Sequence, residues 1–438
     1  MPKQGLQKGM VEELASKGNS RGKNRWLIWF VLAISFAVVH FQRISLSVVT
    51  DELMSQFNIT ALQLGLLNSL YFYIYAFGQL PAGTSSDLFG LRNTVTAGLL
   101  VMGLGSVFFG TATSLRALFL TRLLIGLGSS VIWVSLLKAV SLSFSQDQFA
   151  SITGLSSFIG HGGQVLASAP LSLLVALVGW RFPFIGLGFL TLLLALAAWR
   201  LVGKEKKERR RLGLGDILWR PIQATLKNPA NLLSFLILFG LVGSFSATVG
   251  LWGVPYLVQV GEMAREKAAG LMMIMIVGRV LGPPISGFLT QWWGRPKPVF
   301  LLFAGSHAIL WCILVVVYQL SPPSGLYAPL FFSIGFFNGI AVQIFSLVKD
   351  SNAQAIIGTA NGFVNSGGFV GTAIIQLLMG YLLDSNWEGG IELGVRIYPQ
   401  LAFRRAFYVP LFFSLLSLRA CYVLLGQYKD KVGERVAG

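Results

Sequence analysis

The sequence predicts an all-α membrane protein with twelve transmembrane helices in two six-helix bundles. Three observations carry that reading. Hydrophobic residues make up 54% of the 438 positions and charged residues only 12%, too little charge to cover the surface of a soluble chain this long. Apolar runs long enough to cross a hydrocarbon core of about 30 Å at about 1.5 Å per residue recur along the chain. The main polar interruption, 203–230, leaves as many runs before it as after it.

The first run, 26–49, is too long for a signal-peptide core and has no small-residue cleavage site after it, so it reads as a retained helix. Spans follow at 62–82, 93–113, 116–140, 152–176 and 182–202, the last two separated by a very short link. After the linker come 231–258, 267–290, 299–319, 325–348, 355–384 and 404–427. The expected organisation is a tail (1–25), an N-terminal bundle (26–202), a basic linker (203–230), a C-terminal bundle (231–427) and a second tail (428–438). The linker run Lys204 to Arg211 reads as a solvated, topology-setting segment. With the N-terminus inside, about two thirds of the 34 basic residues fall in inner loops, which puts both tails and the linker in the cytoplasm. The net charge of +17 then needs no nucleic-acid partner; the bilayer is the expected surroundings, and a monomer the expected state. Cys312 and Cys421 lie in apolar segments as packing thiols. Asn58-Ile59-Thr60 lies too close to the bilayer for a glycosylation site.

Charge placement then points to function. The 17 acidic residues fall at the ends of spans or between them, whereas Arg43, Arg122, Arg279 and Arg419, with His40, His161 and His307, fall inside. A cation in hydrocarbon is costly, and intramembrane ionisable groups usually face a bundle interior or wet cavity. Without a carboxylate at that depth, the cations call for an anion.

The two halves also repeat a signature after their second span. Gly83, Asp87, Gly90 and Arg92 recur as Gly287, Gln291, Gly294 and Arg295. The small residues suit a tight loop, and Asp87 with Arg92 suits a charge-assisted clasp at the cytoplasmic rim. Here the chain resembles the major facilitator superfamily, over nearly all of Trp26 to Gln427. Residues 83–92 match its loop between helices two and three, and Arg122 followed by Gly126 and Gly128 resembles its fourth-helix motif. The resemblance implies rocker-switch alternating access, with helices one, four, seven and ten around a central cavity and gating roles for the repeated loop residues and Gly126. Gln291 stands where an acid is usual, so a weaker clasp is expected in that half. The fifth span reads Gly160-His161-Gly162-Gly163-Gln164, with Ala169-Pro170 later, and lacks the Gly-Pro pattern typical of drug antiporters. The texture around His40-Arg43, Gly250-Tyr256 and Gly358-Asn365 is similar to bacterial sugar-phosphate and organic-anion permeases.

Helical rise puts His40 about 21 Å and Arg43 about 25 Å up the first span, and Arg122 about 9 Å below the outer surface. His161 and Arg279 fall near the midplane. The candidate substrate-binding set is His40, Arg43, Arg122, His161, Gln164, Trp252, Tyr256, Arg279, Asn338, Asn361 and Asn365. Each has a structural alternative: Arg122 as a gating residue, Arg43 snorkelling to headgroups or to Asp51, His161 satisfied by a carbonyl, Trp252 and Tyr256 as packing. Nothing in the sequence calls for a cofactor, metal or catalytic triad. The expected function is secondary transport of a small organic or phosphorylated anion across a bacterial inner membrane. The alternatives are efflux of a drug, siderophore or metabolite, and a non-transporting sensor.

Overall fold

A computed structural model describes residues 25–203, 222–294, 296–353 and 356–437, with side chains described outside 80–88, 146–147, 150 and 427–437. Ten of its helices are long and apolar enough to cross a bilayer, and bent helix pairs bring the number to as many as twelve. The first six spans are Arg25–Val48, Ala61–Phe89, Leu91–Thr111, Leu115–Ser143, Gln146–Leu166 continued by Ala169–Val178 after a 41° bend, and Arg181–Leu201. The second six are Pro229–Gln259, Arg265–Trp293, Pro296–Val317, Ser324–Ser351, Ile357–Ser385 and Gln400–Gly426. Alternation of up and down helices puts segments 49–60, 260–264 and 386–399 at one end of the molecule, the hairpin face. The residues that flank the central linker lie at the other end, the linker face.

Several elements differ from the sequence reading. The segment before the second span forms a separate helix, Thr50–Phe57, turned 119° from it. Asn58 ends that helix in the left-handed region (φ 50°), and Thr60 opens the next with a capping box: its hydroxyl accepts from the Gln63 amide, and the Gln63 side chain accepts from the Thr60 amide. Asn58-Ile59-Thr60 is therefore a helix–helix turn. Between the last two spans, β1 (Ile391–Glu392) and β2 (Val395–Arg396) form a small antiparallel hairpin through Leu393 and Gly394, both at positive φ.

The repeated signature is mostly helical, which corrects its reading as a loop. Gly83 and Asp87 lie on the helix Ala61–Phe89, and the turn is confined to Gly90 at φ 81°. Gly287 and Gln291 likewise lie on Arg265–Trp293, which ends at Gly294 with φ 61°. Helices can outrun the apolar core because polar side chains at their ends reach water or headgroups. The Asp87 side chain and Arg295 lie outside the described residues. Arg92 stacks its guanidinium 3.8 Å from the centroid of the Trp199 ring on the sixth span.

Small residues set which spans meet. A Cβ on Gly163 would lie 2.0 Å from the Ala37 carbonyl oxygen, and one on Gly160 2.7 Å from the Phe36 ring, so spans one and five pack backbone to backbone. In the C-terminal half, Gly278 sits against the Phe332 carbonyl and Gly335 against the Met275 carbonyl, which joins spans eight and ten. Gly126 packs on the Tyr71 carbonyl, joining spans four and two.

The two bundles meet mainly through spans two and eleven. Ser69 donates to the Ala373 carbonyl at 2.7 Å, and Gly380 lies against the Ala61 carbonyl. Among the described residues, hydrogen bonds crossing between bundles join positions 51–69 and 250–265 or 373–398, all in the half nearer the hairpin face. Asp384 accepts from the amides of Ala61 (3.1 Å) and Leu62 (2.7 Å), and Arg265 pairs with Asp51 (3.2 Å) and with Glu52. The molecule is closed at its hairpin face.

Candidate functional site

Two arginines, one from each bundle, define the candidate site. Arg43 on the first span is half-buried, its guanidinium 4.5 Å from the Tyr75 ring centroid and 4.9 Å from that of Phe369 on the eleventh span. Aromatic faces attract a cation without neutralising it. Its Nη1 lies 3.4 Å from His40 Nε2. The spacing between spans one and five that Gly160 and Gly163 permit brings the His40 and His161 rings to 5.3 Å. Phe36 and Trp133 stack beside them at 4.5 Å.

Arg279 comes from the eighth span, at the glycine-packed crossing with the tenth. Its Nη1 donates to Asn338 Oδ1, and its guanidinium lies 4.7 Å from the Phe245 ring centroid. Asn338 is fixed by its own amide, which donates to the Leu241 carbonyl at 2.6 Å and approaches His307 Nε2 at 3.2 Å. Trp311 donates to the same histidine nitrogen at 3.3 Å, so that nitrogen holds a lone pair and His307 is neutral. Spans seven and eleven pack against each other at Gly243 and Gly371, and those two spans supply the Phe245 ring beside Arg279 and the Phe369 ring beside Arg43. The cations from the two bundles therefore bear on one region. Neither Arg43 nor Arg279 pairs with a carboxylate among the described residues.

On span eleven, Asn361, Asn365 and Phe369 lie on adjoining turns of one side, next to Gly358 and Gly362, where an added Cβ would meet nothing within 4 Å. Asn361 Oδ1 is a buried atom with no partner. On span five, Gln164 is 8% exposed and its Oε1 also lacks a partner.

Other residues expected at the site are used structurally. Arg122 is fully buried, donating to the Gln42 carbonyl (3.2 Å) and Asn68 Oδ1 (2.7 Å), with the rings of Tyr71 and Phe109 each 5.6 Å away. It orients Asn68, which donates across the bundle boundary to Gln376 Oε1 (3.1 Å) and the Gly250 carbonyl (3.3 Å). That carbonyl lies within a π-helical turn, Thr248–Trp252, where the regular ladder is interrupted. Trp252 donates to the Gln376 carbonyl (3.0 Å) and Tyr256 to that of Leu320 (2.6 Å), and both are buried packing residues. Asn338 is fully buried and serves Arg279. Asp51 pairs with Arg265, so the alternative of Arg43 snorkelling to it falls away. Sequence reasoning passed over Phe369, Gln376 and Asp384.

Residues 32–375 match the Major Facilitator Superfamily. A Bacillus subtilis protein described as "Uncharacterized transporter YybO" is 26% identical, over 46% of this chain and 47% of that protein. The D-galactonate transporter of Escherichia coli O6:H1 is 22% identical over 82% of this chain and 90% of its own. The Escherichia coli K12 protein described as "Probable galactarate/D-glucarate transporter GudP" is 21% identical over 98% and 99%. Among solved structures, a bacterial homolog of the human lysosomal transporter Spinster, inward-facing and unoccupied, shares the fold. Its TM-score is 0.73 at 15% identity, covering 92% of this chain and 97% of that one. With a family match across most of its length and a helical fold shared with solved transporters, this integral membrane chain belongs to the Major Facilitator Superfamily.

Proposed function

We propose that the protein is a secondary transporter of a small organic anion, bound between Arg43 and Arg279 and moved by rocker-switch alternating access. One observation carries the reading: each bundle contributes an arginine to the same interior region, and among the described residues only neutral groups touch either one. Burying uncompensated cations costs several kcal/mol each, on the order of what a bound anion would return. The relatives described as galactonate and galactarate/glucarate transporters carry carboxylates, which suits such a site.

In this reading the linker face is cytoplasmic, following the basic residues of 203–230, and the molecule rests closed to the outside. Coupling then runs by anion exchange, by a histidine, or by a proton carried on the substrate.

Uptake into proteoliposomes tests the reading, with radiolabelled organic anions set against neutral and cationic analogues of the same size, with and without counter-substrate inside. The expected result is anion uptake stimulated by internal anion. Uptake of the neutral or cationic analogues in preference to every anion would overturn it.

A further inference from the structure

The hydrogen-bond inventory around the two arginines narrows the anion further, on the assumption that the anion-transport reading holds. His40 and His161 each turn Nδ1 toward the carbonyl four residues back, Phe36 at 3.1 Å and Ser157 at 2.8 Å. A carbonyl can only accept, so Nδ1 carries the hydrogen, and in the neutral ring Nε2 is an acceptor. Arg43 takes up the acceptor on His40, whereas Nε2 of His161 has no hydrogen-bond partner among the described residues. Three residues along the same helical face, Gln164 presents its buried, unpartnered Oε1. Buried acceptors are nearly always satisfied, so the unmatched oxygen of Gln164, with the half-buried nitrogen of His161 beside it, calls for a donor from outside the chain. A carboxylate, sulfate or fully ionised phosphate has no hydrogen to give them.

The charge count gives the second constraint. Of Arg43, Arg122 and Arg279, each held by neutral groups alone among the described residues, Arg122 is fully enclosed, whereas Arg43 and Arg279 are partly exposed, and a monoanion would compensate only one of those two. We propose that the substrate is a hydroxylated dianion. One acid group lies on Arg43 and the other on Arg279, with hydroxyls donating to His161 Nε2 and Gln164 Oε1. Each guanidinium would use its free edge, since Arg279 has already committed Nη1 to Asn338.

Probes matched in carbon skeleton separate the two constraints. With purified full-length protein, calorimetry would compare glucarate (hydroxylated dianion), gluconate (hydroxylated monoanion), adipate (dianion without hydroxyls) and uncharged glucitol. Tartrate and succinate repeat the hydroxyl comparison at four carbons. The expected result is that a hydroxylated dianion binds at least tenfold tighter than both its monoanionic and its dehydroxylated counterparts. Arg279→Gln should then bring glucarate down to the level of gluconate, and Gln164→Leu should bring it toward adipate, with thermal unfolding confirming that both variants are folded. Equal binding of gluconate and glucarate would overturn the two-charge claim, and equal binding of adipate and glucarate the hydroxyl claim. Failure of both hydroxylated dianions to bind would overturn the inference outright. All three outcomes leave anion transport standing, whereas glucitol binding at least as tightly as every acid would bring down that reading as well.

Discussion

Asn338 decides how much of the charge on Arg279 is available. As an amide it holds the guanidinium through a hydrogen bond and leaves the full positive charge for a ligand; as an acid it would neutralise that charge from within. Asn338→Asp is nearly isosteric but gives up the amide's bond to the Leu241 carbonyl, so the unfolding temperature is read beside the affinity. Its expected effect is a loss of anion binding of tenfold or more, because a charge-assisted contact is worth about 1.5–3 kcal/mol and about 1.4 kcal/mol is a factor of ten. Calorimetry with the best anion from the uptake screen measures it, and unchanged affinity would show that Arg279 does not hold the ligand. The sequence made the basic interior legible because charge inside an apolar run is visible without a structure. It could not separate Arg43 and Arg279 from Arg122, since that depends on which acceptors the neighbouring spans bring. Arg122 meets Gln42 and Asn68 and is fully enclosed by the protein.

At the scale of elements, glycine positions determine which spans cross and hence which side chains meet. Gly163 and Gly162 make a paired test on one helix. An added side chain at Gly163 would collide with the Ala37 carbonyl, whereas a Cβ at Gly162 would meet nothing within 4 Å. Gly163→Val should destabilise the protein by about 1–3 kcal/mol or more through overpacking, lowering its unfolding temperature, and should weaken ligand binding by moving His161 away from His40. Gly162→Ala should leave the unfolding temperature unchanged. Equal effects from the two substitutions would remove the packing argument. The spans themselves were legible to within a few residues in most cases, because length and hydropathy define them. The Thr50–Phe57 helix and the 391–396 hairpin were not, since short polar elements take their form from tertiary partners. Ser55, for instance, donates to the Leu393 carbonyl.

For the whole molecule, the balance between access states rests on the contacts that close the hairpin face. Asp384 caps the first turn of span two from the opposite bundle, and Arg265 ties the Thr50–Phe57 helix to span eight. Tyr398 donates to Asp384 at 2.9 Å and accepts from the Ala61 amide at 3.2 Å. Burial, and then the neighbouring Asp384 carboxylate, push its hydroxyl above the ordinary tyrosine range, so it remains a donor. Asp384→Ala would strip the Leu62 amide of its acceptor, leave the Ala61 amide only Tyr398, and tilt the equilibrium toward opening at this face. Spin labels at Thr113 and Ser324, both exposed at the hairpin face, should then report longer distances than in the otherwise unmodified protein. An unchanged distribution would mean that the closed state is held elsewhere.

The central claim is that an arginine from each bundle selects an anion, and anion binding by Arg279 variants tests it most directly. Lysine keeps the charge but loses the planar fork, and glutamine loses both. Calorimetric titration of the purified protein, with unfolding temperatures as a check on folding, should show Arg279→Lys binding about tenfold more weakly and Arg279→Gln about a hundredfold or more, in line with about 1.5–3 kcal/mol per charged contact. If Arg279→Gln is folded and binds the anion as tightly as the unaltered protein, the anion site lies elsewhere and the account is wrong.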